Sequence, residues 1–306
     1  MKKLPLIFTN TPKYSNLNFT KIENLDVQDK IVIKIKLTNL CLFNCEYCCF
    51  HYKDSFIKLN TIYSLIQEIK ILNFHNIVFV VYGGEPTLHP DFYNIIDILK
   101  KYGQITILTN MGRRIYFQRL QKCSFMFTLH TKYLSNHYVV ENLKQIKSLP
   151  KNKYDLVILM SKKNYKEVKK LYSVFKMMYN TSIGYVFQDI DEIPNDFLNI
   201  FNDNVVKVSQ HNISKLLSYW QMIKNDYINF HGCICNSGQK LFVMNSNGMI
   251  YRCESEFINQ NPLCHISDFH DKIYKISTQC SSYWCTEYWS KIVNPNYIND
   301  EMDLCK

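Results

Sequence analysis

The sequence has no Gly-Lys-Ser phosphate loop, no Gly-x-Gly-x-x-Gly turn and no His-Glu-x-x-His pair. The commonest phosphate cradle, the dinucleotide fingerprint and the metalloprotease helix are thereby excluded. No apolar run approaches the roughly 20 residues that span a bilayer. The stretch Met1–Phe8 has basic residues, but its apolar run is about five residues and stops at Thr9-Asn10-Thr11-Pro12, too short for a secretory signal. Internal repeats and low-complexity segments are also missing. So is any arginine-rich tract, although the formal charge is +10. Lys and Arg are spread along the chain, with only short clusters such as Lys162-Lys163 and Lys169-Lys170. Such a spread argues against nucleic acid as partner. It suits a mildly basic enzyme, and it leaves open an acidic peptide or a phosphorylated small molecule.

What is present is a chain of 306 residues, 47% hydrophobic and 20% charged. That composition is globular, and the length fits one large domain with or without a smaller one. Twelve cysteines is high for this size. Disulfide-rich secreted chains are usually much shorter and carry a signal peptide, so a cytoplasmic protein whose cysteines bind metal is expected.

Three of those cysteines, Cys41, Cys45 and Cys48, stand at x3 and x2 spacing directly after the β-branched run Ile31–Leu37. Three thiolates in one loop can hold three irons of a four-iron cube, leaving one iron open for a ligand. A zinc knuckle short of one ligand, or cysteines packed as small apolar groups, would use the same residues.

Downstream, apolar strand-length runs alternate with amphipathic segments. Strands are expected over 31–37, 76–82, 104–109, 124–129, 154–160 and 182–188. Helices are expected over 59–72, 91–101, about 113–121, 138–148 and 164–178. Six such units imply an α/β fold with a parallel sheet and helices outside. Ligands gather at the carboxyl ends of such strands. The cysteine loop, Gly83-Gly84-Glu85, Thr109-Asn110 and Thr128-Leu129-His130 all fall there. Residues 1–30 read as a lead-in and 191–232 as a connection with a helix near 212–226. Residues 233–306, which hold seven of the twelve cysteines, read as a small C-terminal domain.

Residues 31–190 resemble the radical S-adenosylmethionine superfamily. The resemblance rests on Cys41-x-x-x-Cys45-x-x-Cys48 with Tyr47 before the third cysteine, and on Gly83-Gly84-Glu85-Pro86 after the second strand. It implies a partial (β/α)6 barrel, a [4Fe–4S] cluster and S-adenosylmethionine chelating the open iron. It further implies a flavodoxin- or ferredoxin-type reductant and a 5′-deoxyadenosyl radical that takes hydrogen from a small-molecule or peptide substrate. Glu85 is expected to accept from the cofactor's amine, with Gly83 and Gly84 allowing close backbone approach. Asn110 and Thr128 are candidates for cofactor or substrate contacts, and Met160, Gly184 and Val186 for flanking the ribose and adenine. An ordinary strand-end role serves each as well. His130 is a candidate for substrate deprotonation or for a structural hydrogen bond.

A second resemblance, to SPASM and twitch domains, rests on Cys235, Gly248 and Cys253. Asn247-Gly248 supplies a hairpin turn between strand-like 240–245 and 249–252. With Cys280 and Cys285 these cysteines would hold one auxiliary [4Fe–4S] cluster. The four residues between Cys280 and Cys285 depart from the family spacing, so Cys233 or Cys264 is an alternative ligand. Cys49, Cys123 and Cys305 are expected to pack or face solvent.

Overall fold

The structure is a computed structural model. It describes residues 18–19, 30–46, 48, 55–161, 163–185, 205–210, 213–218, 234–273 and 278–280. The chain divides into two compact units. The larger spans Asp29–Ile193 and Ser237–Ile276, and the smaller gathers Met1–Gln28, Pro194–Asn236 and Ser277–Lys306.

Six strands of the larger unit run parallel in chain order. They are β1 (Ile31–Lys36), β2 (Ile77–Tyr82), β3 (Gly103–Thr109), β4 (Cys123–Leu129), β5 (Tyr154–Met160) and β6 (Thr181–Tyr185). Their pattern explains the layering. In β4, Cys123, Phe125, Phe127 and Leu129 are buried, while Ser124, Met126 and Thr128 are half-buried. The first set packs under the helices; the second faces the inner side of the sheet, where Thr128 lines a cavity. The helices supply the matching apolar faces. α1 (Leu59–Ile71) buries Ile62, Leu65, Ile66 and Ile69, and α2 (Phe92–Leu99) buries Phe92, Ile95, Ile96 and Leu99. α3 (His137–Ile146) starts where the Asn136 side chain accepts from Tyr138 N–H and Val139 N–H. α4 (Tyr165–Met178) buries Val168 and Tyr172. The six-strand series is open, as a partial (β/α)6 barrel requires.

Three more strands join this sheet beside β1. β7 (Leu241–Met244) pairs parallel with β1, β8 (Met249–Tyr251) pairs antiparallel with β7, and β9 (Cys264–His265) pairs antiparallel with β8. The strands within 241–265, a stretch read from sequence as part of a small C-terminal domain, extend this same sheet. The reason is that all four residues of β7 are apolar and fully buried, which demands cover on both faces. Two short helices follow, α5 (Glu254–Ile258) and α6 (Phe269–Lys272).

In the smaller unit, residues 205–210 and 213–218 form an antiparallel pair, and 18–19 pairs with 205–210. The helix expected near 212–226 is thus a strand over 213–218. Its apolar Ile213, Leu216 and Leu217 fit a helical spacing, but pairing with the β-branched 205–208 side of the hairpin prevails. Residues 234–235 pair antiparallel with 278–279.

Candidate active site

A cavity of about 290 Å³ opens at the carboxyl ends of β1–β4. Cys41, Cys45 and Cys48 line it, together with Gly83, Gly84, Asn110, Thr128 and His130. Among the described residues no three Cys, His, Asp or Glu side chains converge on one point where a single metal ion would sit. Three thiolates lining one cavity match the donors of a multi-iron cluster, in which each sulfur binds a different iron. The donor set thus suits a [4Fe–4S] cube with one iron left for a small chelating ligand. Without iron, burial pushes the Cys41 thiol up to about 11. Binding a cation removes that proton.

The cysteine loop is held from below. Phe43 is 2% exposed and stacks on Tyr133, with ring centroids 4.0 Å apart. Asn44 N–H donates to the Tyr133 hydroxyl at 2.8 Å, and Cys48 N–H donates to the Cys45 carbonyl at 3.0 Å. Sulfur contacts close the arrangement. Phe43 N–H and the Asn110 side-chain amide donate to Cys41 Sγ at 3.4 and 3.2 Å, and His130 Nδ1 lies 3.5 Å from Cys45 Sγ. Burial pushes the His130 imidazole down to about 4, so it is neutral at physiological pH.

The Gly-Gly-Glu segment locks β2 to the start of that loop. Gly84 N–H donates to the Thr38 carbonyl and Glu85 N–H to the Leu40 carbonyl, at 2.9 and 2.8 Å. A Cβ on Gly83 would stand 2.4 Å from Thr38 O, and one on Gly84 2.3 Å from Leu40 O. Glycine is therefore required by the neighbouring backbone of this chain, while both residues also line the cavity.

Glu85, expected to accept from a ligand amine, makes a set of bonds within the chain. It is fully buried and its oxygens are already engaged. Oε1 accepts from Thr87 N–H, the Thr87 hydroxyl and the Thr109 hydroxyl, and Oε2 accepts from Asn110 N–H at 2.8 Å. Burial pushes its carboxyl up, and these four donors oppose that shift. Glu85 ties the end of β2 to the end of β3.

Met160, expected to flank the ribose or adenine, ends β5. It shares the buried parity of Tyr154, Leu156 and Ile158 along β5 and is 0% exposed. Gly184 of β6 pairs with Leu159 of β5. Tyr47, Val186, Cys233, Cys285, Cys49 and Cys305 lie outside the described residues. Cys253 and Cys264 belong to the larger unit, and Cys235 and Cys280 to the smaller. Cys123 is 1% exposed inside β4, a packing cysteine.

Several residues that hold the site have no motif. Asn142 on α3 is fully buried, donates to the carbonyls of Met111 and Arg113 at 3.1 and 2.7 Å, and accepts from Ile115 N–H. It fixes the turn after Asn110, where Met111 takes a left-handed φ of 62°. Tyr82 lines the cavity, and its hydroxyl donates to both Glu254 oxygens at 3.2 Å. Glu254 also pairs with Lys34 at 3.2 Å. The one sequence signal for that group is the pair of lysines in the strand-like run 31–37, which breaks its apolar face.

A strand-end cavity with three cysteines after β1 and Gly-Gly-Glu after β2 defines a cluster-bearing α/β enzyme. The Radical SAM superfamily model matches residues 35–176, so the chain carries a radical SAM domain. Among solved structures, anSMEcpe with bound AdoMet is similar over 81% of this chain and 80% of that one, at 15% identity and a TM-score of 0.56. BtrN in complex with AdoMet and 2-DOIA is similar over 93% and 94%, at 14% identity and a TM-score of 0.45. Streptococcus suis SuiB bound to precursor peptide SuiA matches over 74% and 60%, at 14% identity and a TM-score of 0.49. The first of these supports the fold. Comparison with the curated proteins finds no match. Among the described residues no helix is long and apolar enough to cross a membrane.

Proposed function

We propose that the chain reductively cleaves S-adenosylmethionine and uses the resulting radical to take hydrogen from a small polar molecule, which it oxidises or rearranges. The observation that carries the first half is the convergence of Cys41, Cys45 and Cys48 with Gly83, Gly84 and Asn110 on one cavity. When bound there, the cluster supplies the electron that splits the sulfonium to methionine and a 5′-deoxyadenosyl radical. The chain's own residues do the rest. Glu85, Thr87 and Thr109 fix the cavity floor, Asn110 and His130 face the cysteine sulfurs, and Phe43 with Tyr133 seats the loop.

A small polar substrate, such as a sugar, an aminocyclitol or a nucleotide-linked metabolite, is supported by the cavity's Tyr82 edge. There the hydroxyl, the Lys34 ammonium and the Glu254 carboxylate form one hydrogen-bonded group that is nearly shielded from water. Cys253 stands directly before Glu254 and starts α5.

The test is anaerobic. The wild-type chain should bind iron and sulfide, about four of each for one cube and about eight for two. With dithionite it should form 5′-deoxyadenosine from S-adenosylmethionine, and Cys45→Ala should form none. Retained cleavage in Cys45→Ala, or zinc without sulfide in the wild type, would refute the reading. For the substrate, low-molecular-mass extract from cells grown in heavy water should pass deuterium into 5′-deoxyadenosine. Transfer that survives protease treatment of the extract supports the small molecule. Transfer abolished by protease moves the assignment to a ribosomally made peptide.

A further inference from the structure

We propose that Asn110 and His130 are N–H donors to two of the three cluster thiolates and that together they set the cluster's reduction potential. The inference rests on the radical SAM reading above and concerns two side chains in positioning roles. Its first support is the orientation of the Asn110 amide. Oxygen and nitrogen of such a group are told apart by their partners. Here Oδ1 accepts from Gly112 N–H at 2.8 Å, so the other end, facing Cys41 Sγ at 3.2 Å, is the NH2. The orientation cannot drift, because Asn110 N–H is held by Glu85 and Asn142 clamps the following turn. Crowding adds to this: a Cβ on Gly112 would stand 2.9 Å from Asn110 Oδ1 and 3.1 Å from the Phe43 ring.

The second support is His130 Nδ1, 3.5 Å from Cys45 Sγ. An iron-bound thiolate has no proton to give, so only the tautomer with hydrogen on Nδ1 makes this contact favourable. The ring is kept in place by its edge contact with Phe43, with centroids 5.7 Å apart. The two donors come from the ends of neighbouring strands, β3 and β4, and reach different sulfurs.

A reduced cluster carries one more negative charge, much of it on sulfur. Donors aimed at sulfur stabilise that state and raise the potential. A radical enzyme must still keep its cluster strongly reducing, so two such donors would place the potential within reach of a biological reductant.

The measurement is a redox titration followed by electron paramagnetic resonance on the reconstituted full chain. The signal that changes on adding S-adenosylmethionine identifies the cluster with the open iron. His130→Phe keeps the ring contact and removes the N–H. It should lower the potential by about tenfold in the one-electron equilibrium, which is 59 mV. His130→Gln, which restores an N–H, should recover part of that. Asn110→Asp keeps the shape and the bond from Gly112 but turns an oxygen toward Cys41, so it should fall below Asn110→Ala. A purely structural role would not order those two variants in that way. Equal potentials across the series at full iron content overturn the inference and leave the functional reading standing. Should the Asn110 variants lose iron, the His130 pair decides, and a His130→Phe potential equal to wild type overturns it. A wild-type chain that takes up no iron and sulfide overturns the functional reading itself.

Discussion

Glu85 shows how a motif residue can tie two strand ends together beside a site. Its carboxylate collects four donors from Thr87, Thr109 and Asn110, two of them backbone amides. Removing it leaves buried donors unmatched, at about 1–3 kcal/mol for each such group. Glu85→Ala should therefore lower the unfolding free energy by at least that much and release the turn that carries Asn110. Glu85→Gln is the finer probe. Its oxygen can still serve Thr87 and Thr109, but its NH2 would meet Asn110 N–H, donor against donor. Denaturant unfolding should place Gln between wild type and Ala, with iron retention falling in the same order. A Glu85→Ala chain as stable as wild type would show that the network has no such role.

The elements most legible in sequence were those with an unbroken period. The runs 76–82 and 154–160 fell within one residue of β2 and β5, and the face Ile62–Leu65–Ile66–Ile69 became the buried side of α1. Less legible were elements whose partners are distant in the chain. Nothing local in Leu241–Met244 says that it pairs with Val32–Ile35, about two hundred residues earlier. The same holds for α6, which buries Phe269 against Phe242 and Phe74 and bonds a carboxylate of α1. Glu68 of α1 accepts from both His270 N–H and His270 Nδ1 at 2.8 Å. That bond raises the His270 imidazole above its usual value. A raised folded-state value means that the charged form is stabilised by folding. The contribution is fully present below the unfolded histidine value of about 6.5 and is lost as pH rises through the folded one. Hence the melting-temperature gap between wild type and His270→Gln should be widest near pH 6 and should close toward pH 9. A gap that is constant or widens with pH would exclude the ion pair as its source.

At the scale of the molecule, the site was legible in sequence to the extent that its chemistry is local. The cysteine spacing, Gly-Gly-Glu and strand-end position pointed to Asn110, Thr128 and His130 as well, and these residues line one cavity. Position at a strand end does not tell which face a residue presents, and Met160 is fully buried on its strand. Asn142, Tyr82 and Glu254 stayed hidden because ordinary residues carry their roles through tertiary contacts. Whole-chain charge supplies a last expectation. At +10, the chain should attract an acidic flavodoxin- or ferredoxin-type reductant. Near the cysteine loop, Lys132 and Lys163 are exposed and both act on Glu46, Lys163 as its ion-pair partner, while Leu42 is 55% exposed. These lysines are the charges whose effect on an acidic protein partner can be tested. Raising ionic strength should slow reduction by such an acidic protein by about tenfold or more, since screening shortens the reach of surface charge. Cleavage driven by a small neutral electron donor should hardly change. Lys132→Glu with Lys163→Glu should reproduce the salt effect at low ionic strength and leave cleavage with the small donor intact. Equal salt dependence for both donors, or no effect of the charge reversals, would place the reductant's docking surface elsewhere.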